Sequence, residues 1–139
     1  MKLNIQKLTL LRFLLICGAG YYLIGGIVHF FGLTLFPWYV GTLYSPYHDT
    51  VIALTAFVLA VIFFTISKNP VKNIDVLNAL IVGGFLAVLF SFYIIFKIDF
   101  IGQAMMKKTQ TMVELVLLIV YLIALIILKP RSVKPDKQN

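Results

Sequence analysis

The chain has 139 residues, of which 61% are hydrophobic and 12% are charged, and its formal net charge is +7. Soluble domains average about 45–50% apolar and about 25% charged residues, so this composition excludes an ordinary soluble domain. A chain of this length has too small a core to bury so much apolar surface, and the composition therefore predicts an integral membrane protein.

Four stretches of the chain are long, nearly uncharged and apolar on all sides, and each has the length of a helix that crosses a bilayer. A membrane-spanning strand is shorter and alternates between apolar and polar residues, which these stretches do not. The predicted spans are residues 8–32, 46–67, 75–96 and 111–128. The expected fold is an all-α integral membrane protein: one domain over residues 1–128 with four transmembrane helices in an antiparallel bundle, followed by a basic tail over 129–139.

The basic residues are distributed unevenly among the segments that flank these spans. Nine of them lie before or at the start of the first span, between the second and third spans, or after the fourth, whereas the other two connections hold three. Under the positive-inside rule, this bias predicts that both termini are cytoplasmic. The expected location is the plasma (cytoplasmic) membrane. Because the charges flank spans, they indicate contact with anionic lipid and not with nucleic acid.

The first span carries small residues on one helical stripe, which predicts a face that packs against other helices. Gly18, Gly25 and Gly32 share this stripe with His29. We expect Gly25→Leu to disrupt packing, because it adds bulk to a close contact. The corresponding packing faces of the second and third spans are predicted at Ala53, Ala56, Ala60, Gly83 and Ala87.

The connection between the first two spans is rich in aromatic residues. Such residues are typical of the belt that lies at the membrane–water interface. The alternatives are a lid over a pocket and a docking surface for a larger membrane complex. The aromatic residues concerned are Phe30, Phe31, Phe36, Trp38, Tyr39, Tyr44 and Tyr47.

The stretch "SPYHD" reads as the start of the second helix. Ser45 is a good N-cap, Pro46 suits the first helical position, and Asp49 falls in the first turn, where the helix dipole stabilises a negative charge. A complete capping box would need Glu or Gln at position 48, which His48 occupies. A helix-start signal alone is therefore sufficient to explain these residues.

Three ionisable residues are predicted to lie at a similar depth. His29, Asp49 and Glu114 each fall about three residues from the outer end of a predicted span, or about 5 Å below the surface. Ionisable groups within a membrane are costly and often functional. Two interpretations stay open: a polar pocket for a cation, a lipid headgroup or a small polar molecule, or helix ends wetted by the headgroup zone. Further candidate residues for the same pocket are His48, Tyr47 and Gln110.

Signatures of catalysis are absent from the sequence, including phosphate-binding loops, metalloprotease motifs and nucleophile elbows. No cofactor is predicted, although His29, Asp49 and Glu114 are weak candidate ligands for a metal, and His29 and His48 for a haem. The expected function is an accessory or binding subunit that recognises lipid or a larger membrane complex through its outer aromatic rim. The alternative is a small transporter or redox-type membrane enzyme that uses the polar pocket. Because the chain is short, a homo-oligomer or a larger complex is expected for any transport path.

Overall fold

The computed structural model describes residues 5–35, 44–99 and 105–130, with the side chain of Met106 excepted. Within these ranges the structure is helical and contains no strand. Its helices are α1 (Ile5–Phe31), α2 (Pro46–Lys68), α3 (Ile74–Lys97) and α4 (Met105–Leu128). All of them are long and apolar enough to cross a bilayer. The prediction of an all-helical chain with four such helices is therefore confirmed.

The start of α4 differs from the prediction. The apolar run predicted a span from residue 111, whereas the helix begins at Met105. Its additional first turns contain Lys107, Lys108 and Gln110, which are polar but are good helix formers. The helix therefore extends beyond its apolar part, and Glu114 lies deeper in the helix than the sequence suggested.

Helix α1 is central to the packing, since it contacts both α2 and α4, while α3 packs against α4. On α2, Ala53, Ala56 and Ala60 are all buried, so this helix presents the small-residue face that the sequence indicated. Larger side chains from every helix form the main core cluster. Its buried members are Leu11, Leu15, Ala19, Phe63, Ile66, Leu77, Ile81 and Leu125.

A tyrosine fixes the contact between α1 and α4. The hydroxyl of Tyr121 donates a hydrogen bond to the carbonyl oxygen of Leu14, at 2.9 Å. A Cβ added at Gly18 would come within 2.5 Å of that hydroxyl and 2.9 Å of the Phe63 ring. Gly18 therefore occupies a close contact between helices, where the absence of a side chain makes room for both rings.

Two glycines of the predicted stripes lie beside the close contacts instead of in them. A Cβ at Gly25 or at Gly83 would meet nothing within 4 Å, whereas one at Gly26 would lie 2.6 Å from the Phe57 ring and one at Gly84 would overlap Leu122. Neighbouring residues on a helix point about 100° apart, so a stripe inferred from small residues can be displaced by one position. The structure corrects the predicted packing positions in this way.

Ala87 is also corrected, because it is exposed within the described part of the chain. On α3 the buried residues are Leu77 and Ile81, which belong to the first half of the helix. The second half of α3, which contains Ala87, therefore has no buried residue in the described structure.

Gly32 ends α1 instead of packing against another helix. Its φ is +60°, in the left-handed region that glycine adopts without steric cost. The Gly32 N–H bonds to the carbonyl of His29 at 3.3 Å, and the Leu33 N–H bonds to the carbonyl of Val28 at 3.0 Å. This pair of bonds is a Schellman motif, which satisfies the last carbonyls of the helix. The motif places His29 in the final turn of α1.

Candidate functional site

A histidine at the end of α1 and a carboxylate at the beginning of α2 join these two helices. His29 Nδ1–H donates a hydrogen bond to Asp49 Oδ1 at 2.6 Å. Asp49 is 5% exposed, so the contact lies in a largely dry environment. Charge-assisted hydrogen bonds of this length are among the stronger polar contacts in proteins. The pair therefore joins the two helices at one end of the fold.

The second oxygen of the Asp49 carboxylate completes the start of α2. Asp49 Oδ2 accepts a hydrogen bond from the Ser45 N–H at 2.6 Å, while the Asp49 N–H bonds back to the Ser45 carbonyl at 2.8 Å. Asp49 thus takes the part that a Glu at position 48 would have in a capping box. One carboxylate therefore accepts hydrogen bonds both from the N–H of the N-cap residue Ser45 and from His29.

His48 and Tyr47 do not join this pair in the structure. His48 Nδ1 lies 2.9 Å from Ser45 Oγ, and its ring packs edge-on against Tyr47. Both side chains are exposed. Their positions on α2 turn them away from Asp49, because successive residues of a helix point in different directions. The structure therefore gives no support to a haem held between His29 and His48.

Glu114 belongs to a second group of polar side chains, between α1 and α4. Its Oε1 accepts hydrogen bonds from Gln110 Nε2 at 3.1 Å and from the Tyr21 hydroxyl at 3.5 Å. Tyr21 precedes His29 by about two helical turns, or about 12 Å along α1. Because α4 begins at Met105, Glu114 lies about 14 Å from the first residue of its helix. The predicted common depth of His29, Asp49 and Glu114 is corrected accordingly.

Lys107 is a further charged residue near these two groups. Its ammonium interacts electrostatically with both Asp49 and Glu114. The sequence reasoning missed Lys107 because it treated the residues before position 111 as a connection. The available signal was spacing: Lys107, Gln110 and Glu114 follow one another at steps of three and four residues, which places them on one face of a helix. Together these residues extend the polar region from Asp49 to Glu114.

The amide of Gln110 has an acceptor that is not used. Its Nε2 donates to Glu114, which orients the amide group. Its Oε1 is buried and has no hydrogen-bond partner among the described residues. Buried acceptors usually have a partner, and an exception deserves a functional or structural explanation. This oxygen is therefore the point at which the polar cluster is incomplete.

The polar cluster is defined here as His29, Asp49, Lys107, Gln110, Glu114 and Tyr21. In the described ranges, no three His, Cys, Asp or Glu residues lie close enough together to hold a metal ion. The weak metal assignment to His29, Asp49 and Glu114 therefore gains no support from their positions. What the cluster offers chemically is a set of hydrogen-bond acceptors and two carboxylates around one resident lysine.

The predicted aromatic rim is described in part. Phe30, Phe31 and Tyr47 are exposed, whereas Tyr44 lies against Gly32 and donates a hydrogen bond of 3.4 Å to the Phe30 carbonyl. The other predicted members, Phe36, Trp38 and Tyr39, lie outside the described residues. The role of the rim as a belt, a lid or a docking surface stays a prediction.

Comparisons of this chain with protein-family models, with curated proteins and with solved structures found no match. The polar cluster is therefore the feature of the molecule that indicates a function.

Proposed function

We propose that this chain is a small multi-pass membrane protein without catalytic activity, a binding subunit that holds a polar lipid or another amphipathic ligand in the polar cluster. The observation that carries the proposal is the Glu114 group. A carboxylate held by Gln110 and Tyr21 lies between α1 and α4, well inside an apolar helix. Charged and polar side chains are costly at such a position and commonly mark ligand sites.

The apolar surroundings of the cluster favour an amphipathic ligand over a purely water-soluble one. Long apolar helices surround the cluster, and many of their large side chains are exposed on the surface of the chain. A ligand with an apolar tail would lie along such a surface while its polar end enters between α1 and α4. The polar cluster thus recognises the ligand, and the aromatic rim beside it contacts lipid.

We further propose an antiparallel four-helix bundle in the plasma membrane with both termini cytoplasmic. The distribution of basic residues supports this topology. So does the contact between Lys129, just after α4, and Asn78, near the start of α3, whose side chains are joined at 2.9 Å. Lys129 and the connection that contains Lys72 then lie on one side of the membrane, and the polar cluster opens to the other.

The test of the binding function is native mass spectrometry of the protein purified from its membrane in a mild detergent. We expect the wild-type chain to carry a bound lipid or other small molecule, and Glu114→Gln to lose it. Asp75→Asn is the matched control, because Asp75 is an exposed acid in the first turn of α3. A wild-type protein without any bound species, or an equal bound fraction in Glu114→Gln, would contradict the proposal.

A further inference from the structure

Among the described residues, the acceptor oxygens of the polar cluster that have no hydrogen-bond partner lie on one face of α4. Both hydrogen bonds that Glu114 accepts in the described structure end on Oε1, so they leave Oε2 available. One turn earlier, Gln110 Oε1 is buried and has no partner among the described residues. Residues four apart on a helix are neighbours, so an anionic and a neutral acceptor lie side by side.

The donors that already serve Glu114 are neutral. They are the Gln110 amide N–H and the Tyr21 hydroxyl, and the hydrogen bond from the hydroxyl is long, at 3.5 Å. By contrast, the Asp49 carboxylate has both oxygens occupied, by His29 and by the Ser45 N–H. The capacity of the cluster to accept another charged donor is therefore concentrated at Glu114 and Gln110.

From this arrangement we infer that the ligand of the polar cluster carries an ammonium group with N–H bonds, which donates to Glu114 Oε2 and Gln110 Oε1 together. The inference rests on the binding function proposed above and names the chemical class of its ligand. A primary ammonium has three donors, enough for both acceptors with one to spare. A quaternary ammonium has none and would leave Gln110 Oε1 buried without a partner.

The neighbouring lysine supports the same chemistry. The ammonium of Lys107 lies within electrostatic range of Asp49 and Glu114, so these carboxylates already have a cation as a neighbour. Because Asp49 is already hydrogen-bonded to His29, Glu114 is the carboxylate at which a second cation would be held. The same donor chemistry is present in the headgroup of an ethanolamine phospholipid and in a soluble or alkyl-chain amine, and the experiment must separate these sources.

The test measures binding of matched cations to the full chain in nanodiscs of phosphatidylcholine. The first probe is dodecylammonium and the second is dodecyltrimethylammonium, which has the same tail and charge but no N–H bond. Soluble ethanolamine and short-chain phosphatidylethanolamine are the further arms, and they distinguish a free amine from a lipid headgroup. We expect the N–H-bearing cation to bind about tenfold or more tightly than its trimethyl counterpart, because a buried acceptor otherwise loses a charged donor.

Two variants locate the effect. Gln110→Met keeps the length of the side chain and removes the acceptor, so it should reduce the preference between the two dodecyl cations to about twofold or less. Glu114→Gln should weaken binding of both cations about tenfold or more, because it removes the charge that both share. Asp75→Asn serves as the control and should leave both affinities unchanged.

The outcomes separate the inference from the function on which it rests. Equal binding of the two dodecyl cations to the wild-type chain, with both lost in Glu114→Gln, would overturn the ammonium inference and leave a ligand site at Glu114. If both variants keep the preference for the N–H-bearing cation, the site lies elsewhere and the inference is overturned. Absence of binding by every probe would overturn it as well, and native mass spectrometry would then decide the binding function separately. The comparison of probes on the wild-type chain requires no variant to fold.

Discussion

His29 and Asp49 join the last turn of α1 to the first turn of α2 through a hydrogen bond of 2.6 Å between Nδ1 and Oδ1. Asp49 is also the residue that satisfies the Ser45 N–H at the start of α2. A single carboxylate therefore serves the local structure of one helix and its contact with another. This double role makes Asp49 a structural member of the polar cluster, distinct from Glu114, where acceptors remain available.

Asp49→Ala should destabilise the protein by about 1–3 kcal/mol, because it leaves the His29 and Ser45 donors without their buried partner. The control is Asp75→Ala, which removes an exposed acid from the first turn of α3 and costs at most about 1 kcal/mol through the helix dipole. The measurement is reversible unfolding in detergent micelles followed by circular dichroism. An equal loss of stability in the two variants would mean that the His29 contact contributes nothing measurable.

Gly26→Leu should impair folding, whereas Gly25→Leu should be tolerated. A side chain at Gly26 collides with the Phe57 ring, while one at Gly25 meets nothing within 4 Å. Overpacking of this kind costs about 1–3 kcal/mol. The thermal midpoint of each variant in the same detergent checks the prediction. The reverse order of stability would restore the stripe inferred from sequence, with Gly25 in the close contact.

Tyr121→Phe should destabilise the contact between α1 and α4 by about 0.5–1.5 kcal/mol, because the hydroxyl loses its bond to the Leu14 carbonyl. Tyr93→Phe on α3 is the control, since Tyr93 is largely exposed. Unfolding free energies of the two variants and the wild type give the comparison. Matching values for both variants would show that the Leu14 carbonyl is satisfied equally well without the hydroxyl.

The proposed topology predicts which connections are accessible from outside the cell. In a chain whose single native cysteine is replaced by Cys17→Ser, we expect Tyr47→Cys to react with a membrane-impermeant maleimide in intact cells. Val71→Cys, between α2 and α3, should react only after permeabilisation. Tyr47 and Val71 are both exposed in the structure, so access to the reagent depends on the side of the membrane. The opposite labelling pattern would invert the topology.

The predicted packing positions agree with the structure on α2 and only in part on α1. The small residues Ala53, Ala56 and Ala60 pointed to a face of α2 that is buried in the structure. The stripe on α1 was less accurate: Gly18 lies in a close contact, Gly25 lies beside one and Gly32 ends the helix. Small residues indicate that backbones approach each other, but the partner side chain decides which of two adjacent positions must be small.

The residues of the candidate site were likewise predicted only in part. The sequence placed His29 and Asp49 near the ends of their helices and named both as candidate residues of one polar pocket. The position of Glu114 was not predicted correctly, since it depends on where α4 begins, and the polar residues Lys107 and Gln110 are compatible with either a connection or a helix. Their helical conformation is what brings Lys107 into the cluster.

The sequence by itself determined the class of this protein: a chain of long apolar segments whose hydrophobicity and length favour helices that cross a bilayer. Local signals also determined the start of α2 at Ser45 and Pro46. The tertiary structure decided which polar groups meet, because hydrogen bonds between helices depend on rotation and depth that no local pattern specifies. For that reason only the tertiary structure shows that Asp49 bonds to His29 of α1 and that Glu114 lies beside Tyr21.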